Sequence, residues 1–184
     1  AHQITLVSPS PRFVFYPALV QLAFDECDES EITFDLREKL TSIGVRFIQG
    51  EVLRIDAASK RVEITGEDIH GSITYDHVVI AVGRHLATDT VEGYFEHAHH
   101  LLGTKSARRF GEAISKLRTG RIVVGLSPDS RLPVPVCETA FALARKFEDK
   151  IVKGDVHITV IFPGSLADSF GGAQLHQELE KAFS

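Results

Sequence analysis

Tyr75-Asp76-His77-Val78-Val79-Ile80-Ala81-Val82-Gly83-Arg84 is the stretch that decides how this chain is read. Val78, Val79 and Ile80 form a continuous apolar, β-branched run without alternation, which is how a strand covered on both faces of a parallel sheet is written. Gly83 follows where the backbone turns sharply or a ligand comes close, because only a residue without a Cβ tolerates either. The stretch predicts a buried strand running into a glycine turn, the hub of an α/β sheet.

Upstream of the hub, Ile4 to Val7 predicts another apolar strand, stopped by Ser8-Pro9-Ser10-Pro11. The aromatic segment Phe13-Val14-Phe15-Tyr16-Pro17-Ala18-Leu19-Val20 reads either as a core plug or as the wall of a site for a flat ligand. Ile32, Leu36 and Leu40, with Asp35, Glu38 and Lys39 between them, predict an amphipathic helix stopped at Gly44. Three short candidates, Val45 to Ile48, Val52 to Ile55 and Val62 to Ile64, predict a small antiparallel meander.

Downstream, Thr104 to Leu117 predicts a helix with Phe110, Ala113, Ile114 and Leu117 on one face and Thr104 as its N-cap. Arg121 to Gly125 predicts a strand, Glu138 to Phe147 a helix and Val156 to Phe162 a further strand. Strands alternating with helices imply crossovers and a parallel sheet, so the class is α/β. His97, His99 and His100 lack the spacing of helix-borne metal ligands and have no cysteine or acidic partners at suitable spacing, so no metal site is expected.

The composition excludes several functions. The chain has 184 residues, 43% hydrophobic and 24% charged, the mix of a folded globular protein. A net charge of -5 with no Lys/Arg block argues against nucleic acid as a partner. No apolar run approaches the roughly 18 residues of a membrane-crossing helix. Cys27 and Cys137 make neither a disulfide framework nor a metal motif, which fits a reducing, cytoplasmic setting. The chain contains no Met, so a fragment or a processed chain is expected. No Gly-x-Gly-x-x-Gly follows any strand. Leu126, Pro128 and Leu132 in the loop after Gly125 remove close backbone approach and donors that would cradle a pyrophosphate. Phe162-Pro163 offers no acidic residue for a ribose.

Ile4-Thr5-Leu6-Val7-Ser8, Phe13-Val14-Phe15-Tyr16-Pro17, Ile32-Thr33-Phe34-Asp35-Leu36, Gly44-Val45-Arg46-Phe47-Ile48 and Tyr75 to Gly83 follow one another as in flavoproteins with two dinucleotide folds. In that order they resemble the sulfide:quinone reductase and type II NADH dehydrogenase branch of the FAD-dependent pyridine nucleotide-disulfide oxidoreductases. The resemblance covers nearly the whole chain. It implies partial FAD/NAD(P)-binding Rossmann-like folds: residues 1–87 as the second half of an FAD-binding domain, 88–103 as a linker and 104–184 as the first part of an NAD(P)-binding-like domain. The glycine fingerprint that grips the FAD pyrophosphate would precede Ile4.

Carried over residue by residue, Ser8 falls where a strand end faces the adenosine ribose and Val52 where a backbone amide and carbonyl meet the adenine. Ala81, Gly83 and the adjoining Arg84 fall where the chain passes the cofactor. Pro17 matches a proline near the flavin ring, and Glu138 a glutamate by the nicotinamide ribose. Two redox-cysteine positions of the sulfide enzymes fall on Leu102 and Leu132, so sulfide chemistry by a cysteine pair is not expected; Cys137 is a small apolar residue or a helix-start thiol with a lowered pKa.

Two readings follow. In one, the parent protein passes electrons from NAD(P)H or another small donor through FAD to a quinone-like acceptor. In the other, the chain is a non-catalytic interaction or structural module derived from the same fold. The resemblance further implies peripheral contact with the cytoplasmic face of a membrane through a later segment; with the family's first strand absent from the middle of the flavin sheet, a strand-exchanged or edge-paired homo-oligomer, or a disordered first half, is expected. The chain alone is expected neither to bind FAD stably nor to be active.

Overall fold

The computed structural model describes residues 3–67, 69–83, 91–127, 130, 132–171 and 175–183. In chain order these form β1 (Thr5–Ser8), β2 (Arg12–Val14), a 3-10 turn (Tyr16–Ala18), α1 (Leu19–Ala23), β3 (Thr33–Asp35), α2 (Leu36–Ser42) and β4 (Arg46–Gln49). There follow β5 (Glu51–Asp56), β6 (Arg61–Thr65), β7 (His70–Thr74), α3 (Tyr94–His97) and α4 (Thr104–Lys116). The last described elements are β8 (Gly120–Gly125), α5 (Val134–Lys146), α6 (Glu148–Val152), β9 (Val156–Ile161), α7 (Leu166–Ser169) and α8 (His176–Phe183). They are α/β elements, and they divide into two compact units, Ala1–Phe15 with Asp28–Ala87, and Tyr16–Cys27 with Thr88–Ser184.

In the first unit β1 and β4 run parallel, Thr5 opposite Arg46 through Ser8 opposite Gln49. The connection between them carries the antiparallel pair β2–β3, and then α2. α2 begins where Asp35, in an extended conformation, accepts the Glu38 N–H at 3.0 Å, satisfying one of the free donors of the first turn. The predicted helix start at Ile32 is therefore corrected: Thr33–Asp35 is strand, because its pairing with β2 and the Asp35 cap fix the helix start four residues later.

β5, β6 and β7 form the antiparallel meander. Val45 to Ile48 does not belong to it, as the apolar Phe47 and Ile48 are buried by parallel pairing with β1. The third meander strand is His70–Thr74, whose short Gly71-Ser72-Ile73 alternation gives a weak sequence signal. Ile48, Val62 and Ile64 make the core, with Val7, Ile55, Ile69, Ile73 and Tyr75 against it. Two glycines allow β4 to pass directly into β5: a Cβ on Gly66 would overlap the Gly50 Cα.

The hub stretch departs from its prediction. Tyr75 is tied down, its N–H donating to the Lys60 carbonyl at 3.1 Å. The residues from Val78 to Gly83 belong to no ladder, and Val79 is 89% and Val82 82% exposed. A β-branched run encodes the propensity for a strand, but burial needs neighbours on its edges and faces, and none of the described strands pairs with it.

In the second unit β8 and β9 are parallel, from Gly120 opposite Val156 to Gly125 opposite Ile161, with α5 and α6 between them in sequence. Ile114, Leu143, Phe147 and Val156 are the buried core, flanked by Phe24, Phe110, Leu117, Ile122, Val124 and Ile158. α1 crosses α4 closely because Gly111 has no side chain where the Ala23 carbonyl lies. The predicted N-cap at Thr104 is corrected: Gly103 holds that place without a side-chain bond, and Thr104 is already helical. α5 starts at Val134, four residues before the predicted Glu138, with proline in its first turn, where a missing N–H costs nothing.

Candidate functional site at the strand ends

Open α/β sheets bind ligands beyond the carboxyl ends of their strands, and in the first unit that end is built by Ser8, Gln49 and Gly50. The Ser8 hydroxyl donates to the Ser10 carbonyl at 3.0 Å, and the Gly50 N–H donates to the Ser8 carbonyl at 3.0 Å. Val52 lies two residues past Gly50 and pairs with Ile64 beside a bulge between Val52 and Arg54. A bulge interrupts the ladder and leaves backbone groups free to serve something other than the neighbouring strand. The β1–β4 pairing sets Ser8 opposite Gln49, and Val52 lies three residues beyond Gln49, in β5, paired with Ile64. Their surroundings offer hydroxyl and backbone groups but no fixed charge on either residue, which suits a neutral, polar ligand group.

Ala81 and Gly83 are exposed in the same unit, and Gly83 takes φ 70°, the left-handed conformation that favours glycine. Arg84 lies outside the described residues. Pro17 is exposed in the 3-10 turn and Glu138 is exposed on α5; both belong to the second unit. The residues singled out from sequence therefore fall into two sets, each placed within its own unit. Gly50 and Gly66 read from the sequence as turn glycines beside strand candidates, and the structure adds that their backbones approach closely.

The aromatic segment divides: Ala18, Leu19 and Val20 are buried in the core, whereas its aromatic residues are not. Phe13 stacks on Phe34 across β2–β3 with centroids 4.5 Å apart, yet Phe13 is 37%, Phe15 52% and Tyr16 60% exposed. Cys137 is buried, and burial pushes its thiol above the ordinary value, with the neighbouring Glu138 charge adding to the effect. The expectation of a pKa lowered by the helix start is thereby corrected: four residues into α5, desolvation outweighs the dipole. His99 lies against the Phe110 ring at 5.9 Å, and the His100 ring stacks on Tyr94 at 6.4 Å. Burial, followed by the charges of Arg109 and His99, pushes His100 below the ordinary histidine value. Among the described residues no three His, Cys, Asp or Glu side chains are grouped to hold a metal ion. A cleft of about 250 Å³ between α1 and α4, lined by Leu22, Asp25, Arg108, Gly111, Glu112 and Ser115, contains none of the sequence-derived candidates.

The same order of elements recurs in known proteins. The chain is 31% identical over 125 residues to the alternative NAD(P)H-ubiquinone oxidoreductase C1 of Arabidopsis thaliana, an overlap of 62% of this chain and 24% of that one. It is 26% identical over 171 residues to the sulfide-quinone reductase of Aquifex aeolicus, covering 92% of this chain and 39% of the relative. The chain's homologues are thus alternative NAD(P)H-ubiquinone oxidoreductases and a sulfide-quinone reductase.

The fold agrees. The crystal structure of the Aquifex aeolicus sulfide:quinone oxidoreductase superposes with a TM-score of 0.86 at 24% identity, over 98% of this chain and 42% of that one. NDH2 of Plasmodium falciparum in complex with NADH gives 0.69 at 20% identity. Both show that the two units are parts of Rossmann-like dinucleotide folds. No family profile matches the chain. The chain spans only 24% of the length of the plant relative, so it corresponds to a part of such an enzyme.

Proposed function

We propose that this chain is the adenosine-facing and inter-fold part of an FAD-dependent oxidoreductase that moves electrons from NAD(P)H or another small donor to a quinone-like acceptor. The observation that supports the reading is that β1 and β4 end together at Ser8 and Gln49, and β5 leaves that end through Gly50 with Val52 beside a bulge. A hydroxyl and backbone amides there suit a ribose and an adenine. Ala81 and Gly83 would pass beside the same cofactor, Arg84 continuing from them; Pro17 would lie near the flavin ring and Glu138 near a nicotinamide ribose.

These residues fit the adenosine end of FAD and not its pyrophosphate, for which the chain has no glycine-rich strand-to-helix turn. When bound, the flavin supplies the electron chemistry, and the protein's part is to bind, orient and exclude water. Quinone reduction also makes peripheral membrane contact reasonable, through parts of the longer protein and on the cytoplasmic face. Among the described residues no helix is long and apolar enough to cross a membrane. The alternative, a non-catalytic module, is supported by the exposed hub and by the glycine-poor loop after Gly125.

The test is Ser8→Ala combined with Val52→Pro in the full-length protein. Val52→Pro removes an N–H at the edge assigned to the adenine. Retention of FAD should fall at least tenfold while the far-ultraviolet spectrum is unchanged; unaltered FAD retention would remove this edge from the cofactor site.

A further inference from the structure

At the carboxyl end of β1 and β4, three stretches of backbone meet with no side chain between them. The Gly50 N–H donates to the Ser8 carbonyl at 3.0 Å. On the other side, a Cβ on Gly66 would overlap the Gly50 Cα and stand 2.5 Å from the Gln49 oxygen, both of them backbone atoms. A Cβ on Gly50 would stand 2.9 Å from the Ile64 Cγ2 and 3.0 Å from the Thr65 oxygen. Neither glycine takes a left-handed φ, so the backbone conformation does not call for glycine at either place. What the crossing demands is room.

The crossing lies where the chain changes sheets. Gln49 is the last residue of β4 and Glu51 the first of β5, so Gly50 alone carries the chain from the parallel pair into the meander. The direction in which β5 leaves therefore hangs on the contacts of Gly50: the bond to Ser8 on one side and the bare Gly66 backbone on the other. Beyond the bulge, Arg54, Ile55 and Asp56 are paired with Glu63, Val62 and Arg61. A shift imposed at Gly50 is thus taken up between Glu51 and the bulge, the segment that holds Val52, while the rest of the meander stays in register. Binding sites lose their fit when groups move by more than about 0.5 Å.

We propose that Gly50 and Gly66 are positioning residues for the adenosine end of the cofactor: their crossing fixes where the Val52 N–H and C=O stand relative to Ser8. The inference rests on the assignment of Ser8 to the ribose and Val52 to the adenine, and it adds the reason why these two segments hold one geometry. Both glycines act through Val52 and Ser8.

Binding of FAD and of ADP to flavin-free full-length protein, measured by calorimetry, tests it, because ADP carries the adenosine end without the flavin. Gly66→Ala is expected to weaken both ligands by the same factor, at least tenfold. Gly50→Ala should weaken both by a smaller common factor, since the Ile64 side chain can yield. Adding Ile64→Leu to Gly50→Ala removes the Cγ2 in the way and should recover part of the loss. Circular dichroism shows which variants fold, and Gly50→Ala with its Ile64→Leu partner carries the test if Gly66→Ala does not. A role confined to stability would lower the thermal midpoint and leave the ADP affinity of the folded variants at the wild-type value, which overturns the positioning role. Loss of FAD with ADP unchanged overturns it too. Wild-type protein that holds FAD but no ADP would instead remove the adenosine assignment itself, and the positioning role with it.

Discussion

Gly111 shows how much one missing side chain decides. Its position is on the buried face of α4, where an added Cβ would run into the Ala23 carbonyl of α1. Alanine would gain up to about 1 kcal/mol of helix propensity, but separating the helices costs about 1–3 kcal/mol. Gly111→Ala is therefore expected to lower the urea midpoint; a higher midpoint would mean that the helices separate without loss. Cys137 gives a second test at this scale. Its raised thiol value means that the protonated form is favoured in the folded state, so this contribution to stability is full below the unfolded thiol value and is lost as pH rises through the folded one. Native protein near neutral pH should show a faster thiol at the half-buried Cys27 and a slow one at Cys137, read with a chromogenic disulfide. Equal rates would contradict the burial of Cys137.

At the scale of elements, the turn between β5 and β6 rests on Asp56, whose carboxylate accepts the Ala58 N–H at 2.9 Å and the Ser59 N–H at 3.1 Å. The Ser59 backbone bond is the main cause that holds Asp56 below the ordinary carboxylate value. The turn is thus supported above the ordinary value and loses that support as pH falls through the lowered one. Protection factors of the β5 and β6 amides, taken relative to the intrinsic exchange rate at each pH, should fall on acidification in the wild type and already at neutral pH in Asp56→Ala; unchanged protection in the variant would remove Asp56 from that role. Strands with strong apolar runs, such as Ile122 to Val124 and Ile158 to Ile161, were legible in the sequence through their β-branched composition, but the burial expected of the first is corrected, since Val123 is 62% exposed. The β3 strand was not, since Thr33-Phe34-Asp35 is a strand only through pairing with β2. The same limit explains Val78–Val82, whose propensity is local and whose burial depends on partners.

At the scale of the molecule, the class and the homology were legible because the order of strand, aromatic segment, helix and meander survives where single motifs do not. The candidate site was less so. Ser8 reaches the end of β4 only through parallel pairing at long sequence separation, and neither it nor Val52 announces itself by charge. No glycine-rich strand-to-helix turn in the chain would grip a pyrophosphate, so titration of the isolated chain with FAD should give no binding tighter than micromolar. The central claim is that this chain is part of an FAD-dependent oxidoreductase, and the most direct measurement is the visible spectrum of the full-length protein with NADH added anaerobically. The account predicts bound FAD whose absorbance bleaches as the donor is consumed and returns on addition of a soluble quinone. Colourless protein that takes up no FAD on reconstitution would contradict it.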